Sequence, residues 1–522
     1  MKRTTKKAAA LLSAATMCGT MFLNFPENTF VLSAFSADSG VAINEDNFPD
    51  ETFREYVKSF DTSGDNILSD EEIAEVESIN VSQNDISSLK GIEYFTNLTE
   101  LTCERNALTS LDVSHNTALT YLNCIDNKLT VLDVSNNSVL EILYCSSNQL
   151  TTLDISNTAL DSLSCSNNQL TNLDVSNNTA LTYLDCDNNH LTNLDVSNNT
   201  SLTHLNCYSN EITSLDVSNN TNLTYLSCHN NEITSLDVSN NTDLTVLVCN
   251  LNHLTSLDVS NNSALTDLYC SGNPLASLDV SNNSNLNVLY CIDNQLTNLD
   301  VSNNTALTDL YCSENQLASL DVSNNTALKT LGCSENEITN LDVSNNSDLT
   351  VLYCGSNQLT SIDLSNNSNL ISFNNSSNAY EISVDKNTYD LSELPKGFDV
   401  SMASNWTNAT VNDNILTIID MSKPVTYDYD TGYTGDNTDY KKNTFTLNFK
   451  NTSALLGDVN GDGILNSVDA SAILTYYAIL MTEQTPTMKF DTSVADYNGD
   501  GIINAIDASA ILTYYANSMT SK

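Results

Sequence analysis

Two stretches near the C-terminus, DVNGDGILNSVDASAILTYYA from Asp458 and DYNGDGIINAIDASAILTYYA from Asp496, space oxygen-bearing residues at the positions of a twelve-residue calcium loop. Such a loop takes side-chain oxygens from its first, third and fifth residues, a carbonyl from the seventh, usually a water held by the ninth, and a carboxylate at the twelfth, with Gly at the sixth for the sharp turn. The first copy offers Asp458, Asn460, Asp462, the carbonyl of Ile464, Asn466 and Asp469 around Gly463. The second offers Asp496, Asn498, Asp500, the carbonyl of Ile502, Asn504 and Asp507 around Gly501. An all-oxygen donor set suits a hard cation, so the pair predicts two bound Ca²⁺ ions. An acidic tail kept only for solvation has no reason to repeat Gly, Asn and Asp at ligand spacing twice.

A third candidate lies near the other end. FPDETFREYVKSF has the spacing of an amphipathic helix and feeds DTSGDNILSDEE, an EF-hand-like loop with Asp61, Ser63, Asp65, the carbonyl of Ile67, Ser69 and Glu72. Asn66 stands where Gly is usual and tolerates the left-handed conformation. The loop is a candidate for a third calcium; the competing reading is a metal-free helical cap that shields the first coil of a repeat array.

In both C-terminal copies the loop runs straight into one helix, over 470–478 and 508–516, and Asp closes the loop in place of a bidentate Glu. This pair resembles a dockerin, the module that attaches secreted proteins of anaerobic fibre-degrading bacteria to cohesin modules on a scaffold or cell surface. The resemblance implies calcium-dependent binding to a cohesin, with contacts at Ser467, Val468, Leu474 and Thr475, mirrored by Ala505, Ile506, Leu512 and Thr513. The Ser-Thr pair of well-known clostridial dockerins is absent, and Val468 and Ile506 suggest an apolar contact in its place. Since 17 of 21 aligned residues match between the copies, an approximate two-fold axis is expected.

Most of the chain that carries these loops is periodic. From about 98 to 376 it repeats every 21 residues, as in LTYLDCDNNHLTNLDVSNNTA from Leu181, and such a period means a solenoid. Each unit holds two half-units, LxxLxCxxNxL and LTxLDVSxN. Both resemble strands of leucine-rich repeats, which predicts the nested variety with a strand on each side of every coil. Leu181, Leu184, Leu191 and Leu194 are expected to point inward, because one coil cannot bury its apolar side alone. The Asn ladder at Asn189, Asn210 and Asn231 is expected to satisfy backbone groups at the turns.

Thirteen of the 14 cysteines occupy one position of this repeat, from Cys103 to Cys354, and only Cys18 lies outside. Neighbours on parallel strands lie ~4.8 Å apart with side chains pointing the same way, which sets their Cβ atoms farther apart than a relaxed disulfide prefers. An odd number cannot pair fully, and no two share ligand spacing within a coil. Buried reduced thiols acting as small hydrophobes are expected, in a setting where oxygen is scarce.

The second half-unit is nearly invariant and carries a ladder of Asp that reads as a solvated face. The first varies and offers Tyr121, Tyr144, Tyr183, Tyr225, Tyr269, Tyr290, Tyr311 and Tyr353, with His204, Tyr208 and His229 among them. Tyr is favoured at binding surfaces and also suits an exposed strand, so both readings stand for this face. His190, His204, His229 and His253 fall at different offsets, which argues against a shared zinc or catalytic role.

A net charge of −47 makes nucleic acid and anionic membranes poor partners and divalent cations good ones. Lys2, Arg3, Lys6 and Lys7 before an apolar run, with Ala34 and Ser36 as small residues, predict an export signal over 1–36 and an extracellular or cell-surface location. No second apolar run is long enough to span a membrane. The remaining divisions are a cap over 37–90, the solenoid over 91–378, a β-rich capping module over 379–452 that includes Trp406, and the dockerin over 453–522. The fold class is mainly β, with a helical N-terminal cap and a helical C-terminal module.

Acid pairs abound, but a glycosidase needs two carboxylates held across a shaped cleft, and a regular solenoid supplies ladders. The expected function is therefore non-catalytic: an adhesion or binding protein whose repeats take a protein or glycan and whose dockerin plugs into a cellulosome-like assembly. A carbohydrate-binding accessory of polysaccharide degradation is the alternative, and a glycoside hydrolase component is a weaker one.

Overall fold

The structure is a computed structural model that describes residues 40–384, 386–451, 455–460, 464–482 and 494–520. The expected export signal, Cys18, Asp462 and Gly463 lie outside the described residues. Short helix α1 (Glu51–Val57) is N-capped by Asp50, which also accepts a hydrogen bond from the Ser87 N–H at 2.8 Å and so ties the cap to the first coil. Phe48, Phe53, Val57 and Phe95 are fully buried beneath it and shield the end of the array. Helix α2 (Asp70–Ala74) follows the EF-hand-like loop and starts in a capping box between Ser69 and Glu72.

The array is one 15-stranded sheet, every strand three residues long and parallel to its neighbours, from Ser78–Asn80 to Ser372–Asn374. It begins before the boundary at 91 that the period suggests. In that first coil Ile79 stands in the Leu place and Val81 in the Cys place, so the consensus is broken while the geometry is kept. Side chains alternate along a strand. The central Leu and the following Cys face inward, as with Leu184 and Cys186, both fully buried. Leu181, Leu191 and Leu194 are buried as well, and each contributes about 1.5–3 kcal/mol by leaving water.

The second half-unit departs from the expected strand. There the only pairing among the described residues is isolated bridging of Asp112 with Asp133 and Asp133 with Asp154. The reason is local competition for the backbone. Asp195 accepts from the Ser197 N–H at 2.9 Å, and the Asn199 N–H turns back onto the Val196 carbonyl at 3.0 Å, so donors a ladder needs are spent within their own coil.

Two buried Asn ladders join the coils, one beside the paired strands and one in place of the missing strand bonds. Asn210 Nδ2 donates to the carbonyls of Cys186 and Cys207, each at 3.1 Å, while its Oδ1 accepts from the Leu191 N–H at 3.0 Å. On the other side Asn220 Nδ2 donates to the carbonyls of Val196 at 3.0 Å and Asn199 at 2.9 Å. The period also slips once. Cys145 and Cys165 are 20 residues apart, and in that short coil Thr158 takes the Asn place, its hydroxyl donating to the Ile155 carbonyl at 2.7 Å and accepting from Asn178 at 3.1 Å.

All thirteen ladder cysteines are buried free thiols. Burial pushes Cys124, Cys228 and Cys270 up to about 12 and Cys186 and Cys207 well above their ordinary value, so the reactive thiolate is absent at neutral pH. Thiol labelling of the native protein is expected to leave these thirteen unmodified for hours and to modify all of them in denaturant. Rapid native labelling, or inter-coil disulfides in a mass spectrum, would overturn the packing role.

The β module seals the far end with a four-stranded sheet that includes Lys442–Asn451 and Val425–Asp430, and a three-stranded one around Ile415–Ile418. Its tyrosines reach back into the last coils. Tyr427 donates to the Thr360 carbonyl at 2.7 Å, Tyr433 to Leu370 at 3.1 Å and Tyr440 to Ile371 at 2.8 Å. Trp406 stacks on Tyr427 with ring centres 4.4 Å apart. Among the described residues no helix is long and apolar enough to cross a membrane.

Candidate functional site

Helices α3 (Ser467–Leu480) and α4 (Ala505–Thr520) pack against each other over a small core of Val459, Leu465, Ala470, Ile473, Val494, Ala495, Ala508 and Ile511. Both start three residues earlier than the sequence suggests. In α3 Asn466 accepts from the Val468 N–H at 2.7 Å and Asp469 closes a capping box, so the ninth and twelfth loop residues double as helix caps. The second copy repeats this with Asn504 and Asp507, at 2.7 Å to the Ile506 N–H and 2.9 Å from the Asn504 N–H. Gly457 is required where the halves meet: φ is 93°, and a Cβ there would lie 2.7 Å from the Tyr497 ring.

In the second loop Asp496 accepts from the N–H groups of Asp500 at 3.0 Å and Gly501 at 2.7 Å, and Asp507 also accepts from the Asn498 N–H at 3.1 Å. Asp507 is fully buried, and no Lys, Arg or His pairs with it among the described residues. A buried carboxylate without a cation beside it is costly, so the all-oxygen set fits a divalent ion. In the first loop Asp458 and Asp469 are also buried, and the carboxylate of Asp469 accepts from the Asn466 N–H at 3.0 Å.

The N-terminal loop is drawn together by its own hydrogen bonds. Asn66 adopts the left-handed conformation at φ 63°. Asp61 accepts from Gly64, Asp65 and Asn66 N–H groups, Asp65 from the Ile67 N–H, and Ser63 donates to Asp61 at 3.0 Å. The Ser69 N–H, the Thr62 hydroxyl and the Ser63 N–H hold Glu72 down at about 2, so it is ionised at any ordinary pH. Among the described residues no three His, Cys, Asp or Glu side chains are gathered at ligation distance.

All eight expected cohesin contacts, Ser467, Val468, Leu474, Thr475, Ala505, Ile506, Leu512 and Thr513, are exposed. Val468 at 57% and Ile506 at 60% are as open as surface polar residues, and they head two equivalent helix faces. Thr475 and Thr513 each donate to the carbonyl four residues back at 2.8 Å, the same bond in both copies.

Strand parity sends the repeat tyrosines to the outer face of the sheet in two columns. Tyr121, Tyr183 and Tyr225 stand three residues before the cysteine, and Tyr144, Tyr269, Tyr290, Tyr311 and Tyr353 one before it. Tyr269, Tyr290 and Tyr311 form a continuous row with ring centres 5.0 and 4.6 Å apart, and Tyr311 leans over Gly332, where a Cβ would be 2.6 Å from its ring. Elsewhere Tyr183, His204 and Tyr225 stack at 4.6 and 4.2 Å, and Tyr208 stacks on His229 at 4.3 Å. Between those stacks lies Asp185, and Asp187 heads the column of Tyr208 and His229; attention to tyrosines alone passes over both. Their signal in the sequence is a carboxylate on both sides of one cysteine, found in no other coil.

Residues 456–514 match the family described as Dockerin type I domain, and 200–241 match Leucine Rich repeats (2 copies). The protein is thus a leucine-rich repeat protein that carries a dockerin, two non-catalytic kinds of module, the second of which implies a cohesin partner. A solved structure of the functional domain of InlJ from Listeria monocytogenes, described as including a cysteine ladder, is 34% identical and superposes with a TM-score of 0.65 over 79% of this chain and 99% of that one. By that likeness the chain belongs to the internalin-type leucine-rich repeat proteins. An internalin, inlF, of Listeria monocytogenes str. 4b F2365 is 27% identical over 65% of this chain and 99% of its own, with a TM-score of 0.54. Internalin J of Listeria monocytogenes serotype 4b (strain F2365) is 39% identical over 70 residues, 13% of this chain, and the match spans only 8% of that protein's length.

Proposed function

We propose that this is an exported, non-catalytic binding protein of a cellulosome-like assembly, whose repeat sheet takes a protein or glycan while the dockerin, loaded with two Ca²⁺, docks on a cohesin. The observation that carries the reading is the pair of equivalent exposed faces headed by Val468 and Ile506, each set on a loop with a calcium donor pattern. Asp458, Asn460, Asp462, Ile464, Asn466 and Asp469 hold one ion; Asp496, Asn498, Asp500, Ile502, Asn504 and Asp507 hold the other. When bound, the ions neutralise the clustered carboxylates and fix the loops that aim the two helices. The N-terminal loop from Asp61 to Glu72 takes a third ion. The basic and apolar leader over 1–36 supports export.

Two equivalent faces give two ways of docking. Substituting Leu474 and Thr475 by Asp, or Leu512 and Thr513 by Asp, is expected to change cohesin affinity by less than about threefold, because the intact copy takes over, whereas the fourfold variant loses at least about a hundredfold, as for removal of a buried anchor. Surface plasmon resonance on immobilised type I cohesins measures this. Full loss from one pair alone refutes the symmetric plug, and no binding to any cohesin by the unaltered protein refutes the function.

The row Tyr269, Tyr290 and Tyr311 favours one second reading, a carbohydrate-binding accessory. Its rings are inclined at 63° and 57° to each other and so leave π-faces open to a sugar. Retention on cellulose or starch that disappears on replacing the three by Ala supports it.

A further inference from the structure

Asp185 and Asp187 flank Cys186; register sets Asp185 beside Asn206 and, one coil further, Ser227, while Asp187 heads the neighbouring column of Tyr208 and His229. One aromatic stack, Tyr183 on His204 on Tyr225, borders this floor, and the other, Tyr208 on His229, stands across from it. Asn206 Nδ2 and Ser164 Oγ steady Asp185 at 3.0 and 3.3 Å, while Asn188 Nδ2 donates to Asp187 at 2.6 Å and to the Tyr208 hydroxyl oxygen at 3.2 Å.

The charges here are unbalanced. Asp187 is only 4% exposed, and among the described residues neither it nor Asp185 is paired with a Lys, Arg or His. Burial and the neighbouring Asp187 carboxyl push Asp185 up to about 6, and burial holds His204 and His229 below their ordinary value, so the histidines are neutral and supply no counter-charge at pH 7. The aromatic walls do not suit a sugar. The His204 ring has a tyrosine on each side, so its faces are spent on its neighbours, and what reaches solvent is ring edge and phenol oxygen. Two carboxylates and phenol oxygens are acceptors, and they are too few for the six to eight oxygens that calcium takes.

We propose that this floor, from Asp185 and Asp187 to Ser227, is the seat of a lysine or arginine side chain on a basic segment of a protein partner. A guanidinium or ammonium placed there donates to Asp185 and to the phenol oxygens and compensates two partly desolvated negative charges at once. The assignment rests on the reading of the repeat sheet as a binding face and narrows it to three coils and one ligand chemistry.

The test uses the full chain with calcium present, and octalysine and octaarginine as probes. Expected are a tenfold or greater loss of affinity in Asp185→Asn/Asp187→Asn, a change below twofold in the control Asp258→Asn/Asp279→Asn, which removes the same charge from the exposed ladder, and carbodiimide cross-links from octalysine to Asp185 or Asp187. Equal loss in both variants means diffuse attraction to an acidic chain and overturns the assignment. So does tighter Ca²⁺ binding by the unaltered patch than by the Asn variant. Cross-links elsewhere on the outer face of the sheet overturn this seat but keep the sheet as a protein-binding surface. Cross-links confined to the Asp ladder or the dockerin overturn both. Unchanged circular dichroism and unlabelled ladder thiols confirm that the variants are folded.

Discussion

Removing calcium with a chelator is expected to abolish capture of the full-length protein by cohesin while the repeat array stays folded. Among the described residues the C-terminal module has a core of eight buried residues, three of them alanine, which is a small core. A micromolar site in millimolar calcium stabilises the bound state by about 4 kcal/mol, so two ions contribute about 8 kcal/mol, comparable with the whole stability of a small domain. Without them the burial of Asp458, Asp469 and Asp507 is costly, and the helix caps that Asp469 and Asp507 form for α3 and α4 lose their anchor. Because α3 and α4, at 14 and 16 residues, are the longest helices described, the helical circular dichroism signal is expected to fall sharply in chelator. Asp458→Ala and Asp496→Ala are each expected to lower the calorimetric stoichiometry by one. An unchanged spectrum, or cohesin capture that persists in chelator, would contradict the role given to the loops.

Asn210→Ala is the second large effect. Its amide donates to the carbonyls of Cys186, Cys207 and Tyr208 and accepts from the Leu191 N–H, in a place with almost no contact with water. Each carbonyl keeps a second donor, from Asn189, Asn231 and the Asn188 N–H, but the Leu191 N–H is left unsatisfied at about 1–3 kcal/mol and three further hydrogen bonds of about 0.5–1.5 kcal/mol each are lost, so a total of about 3 kcal/mol or more is expected. Hydrogen exchange should show it as lost protection in the two adjoining coils, with distant coils spared. Asn198→Ala is the control, since that side chain is exposed and makes one bond of 3.3 Å to the Ser176 carbonyl; a change within about 0.5 kcal/mol is expected. Equal costs at the two positions would show that the ladder is not what couples the coils.

The inward leucines, the unpaired cysteines and the turn asparagines were legible in the sequence because a strict repeat imposes one environment on each position. What the repeat concealed was competition between equally good local structures. LDVSNN alternates like a strand, yet Asp195 and Asn199 consume the donors that pairing needs, and only coordinates show which use prevails. The first coil was hidden for the opposite reason, since Val81 satisfies the geometry without the consensus. At the candidate sites, ligand spacing revealed the calcium loops, because position in a loop dictates role. Asp185 and Asp187 were not visible as a site, since their significance comes from residues one and two coils away.

Nearly every bond described between coils joins a coil to its immediate neighbour. The array therefore behaves as a ruler with discrete graduations. Fifteen strands make fourteen steps of ~4.8 Å, or about 67 Å between the two end caps. Adding or deleting a whole 21-residue unit keeps every contact type and leaves both ends intact, so the distance between the two end caps can be reset in single steps, whereas a change of any other length must be absorbed by an improvised turn of the kind built around Thr158.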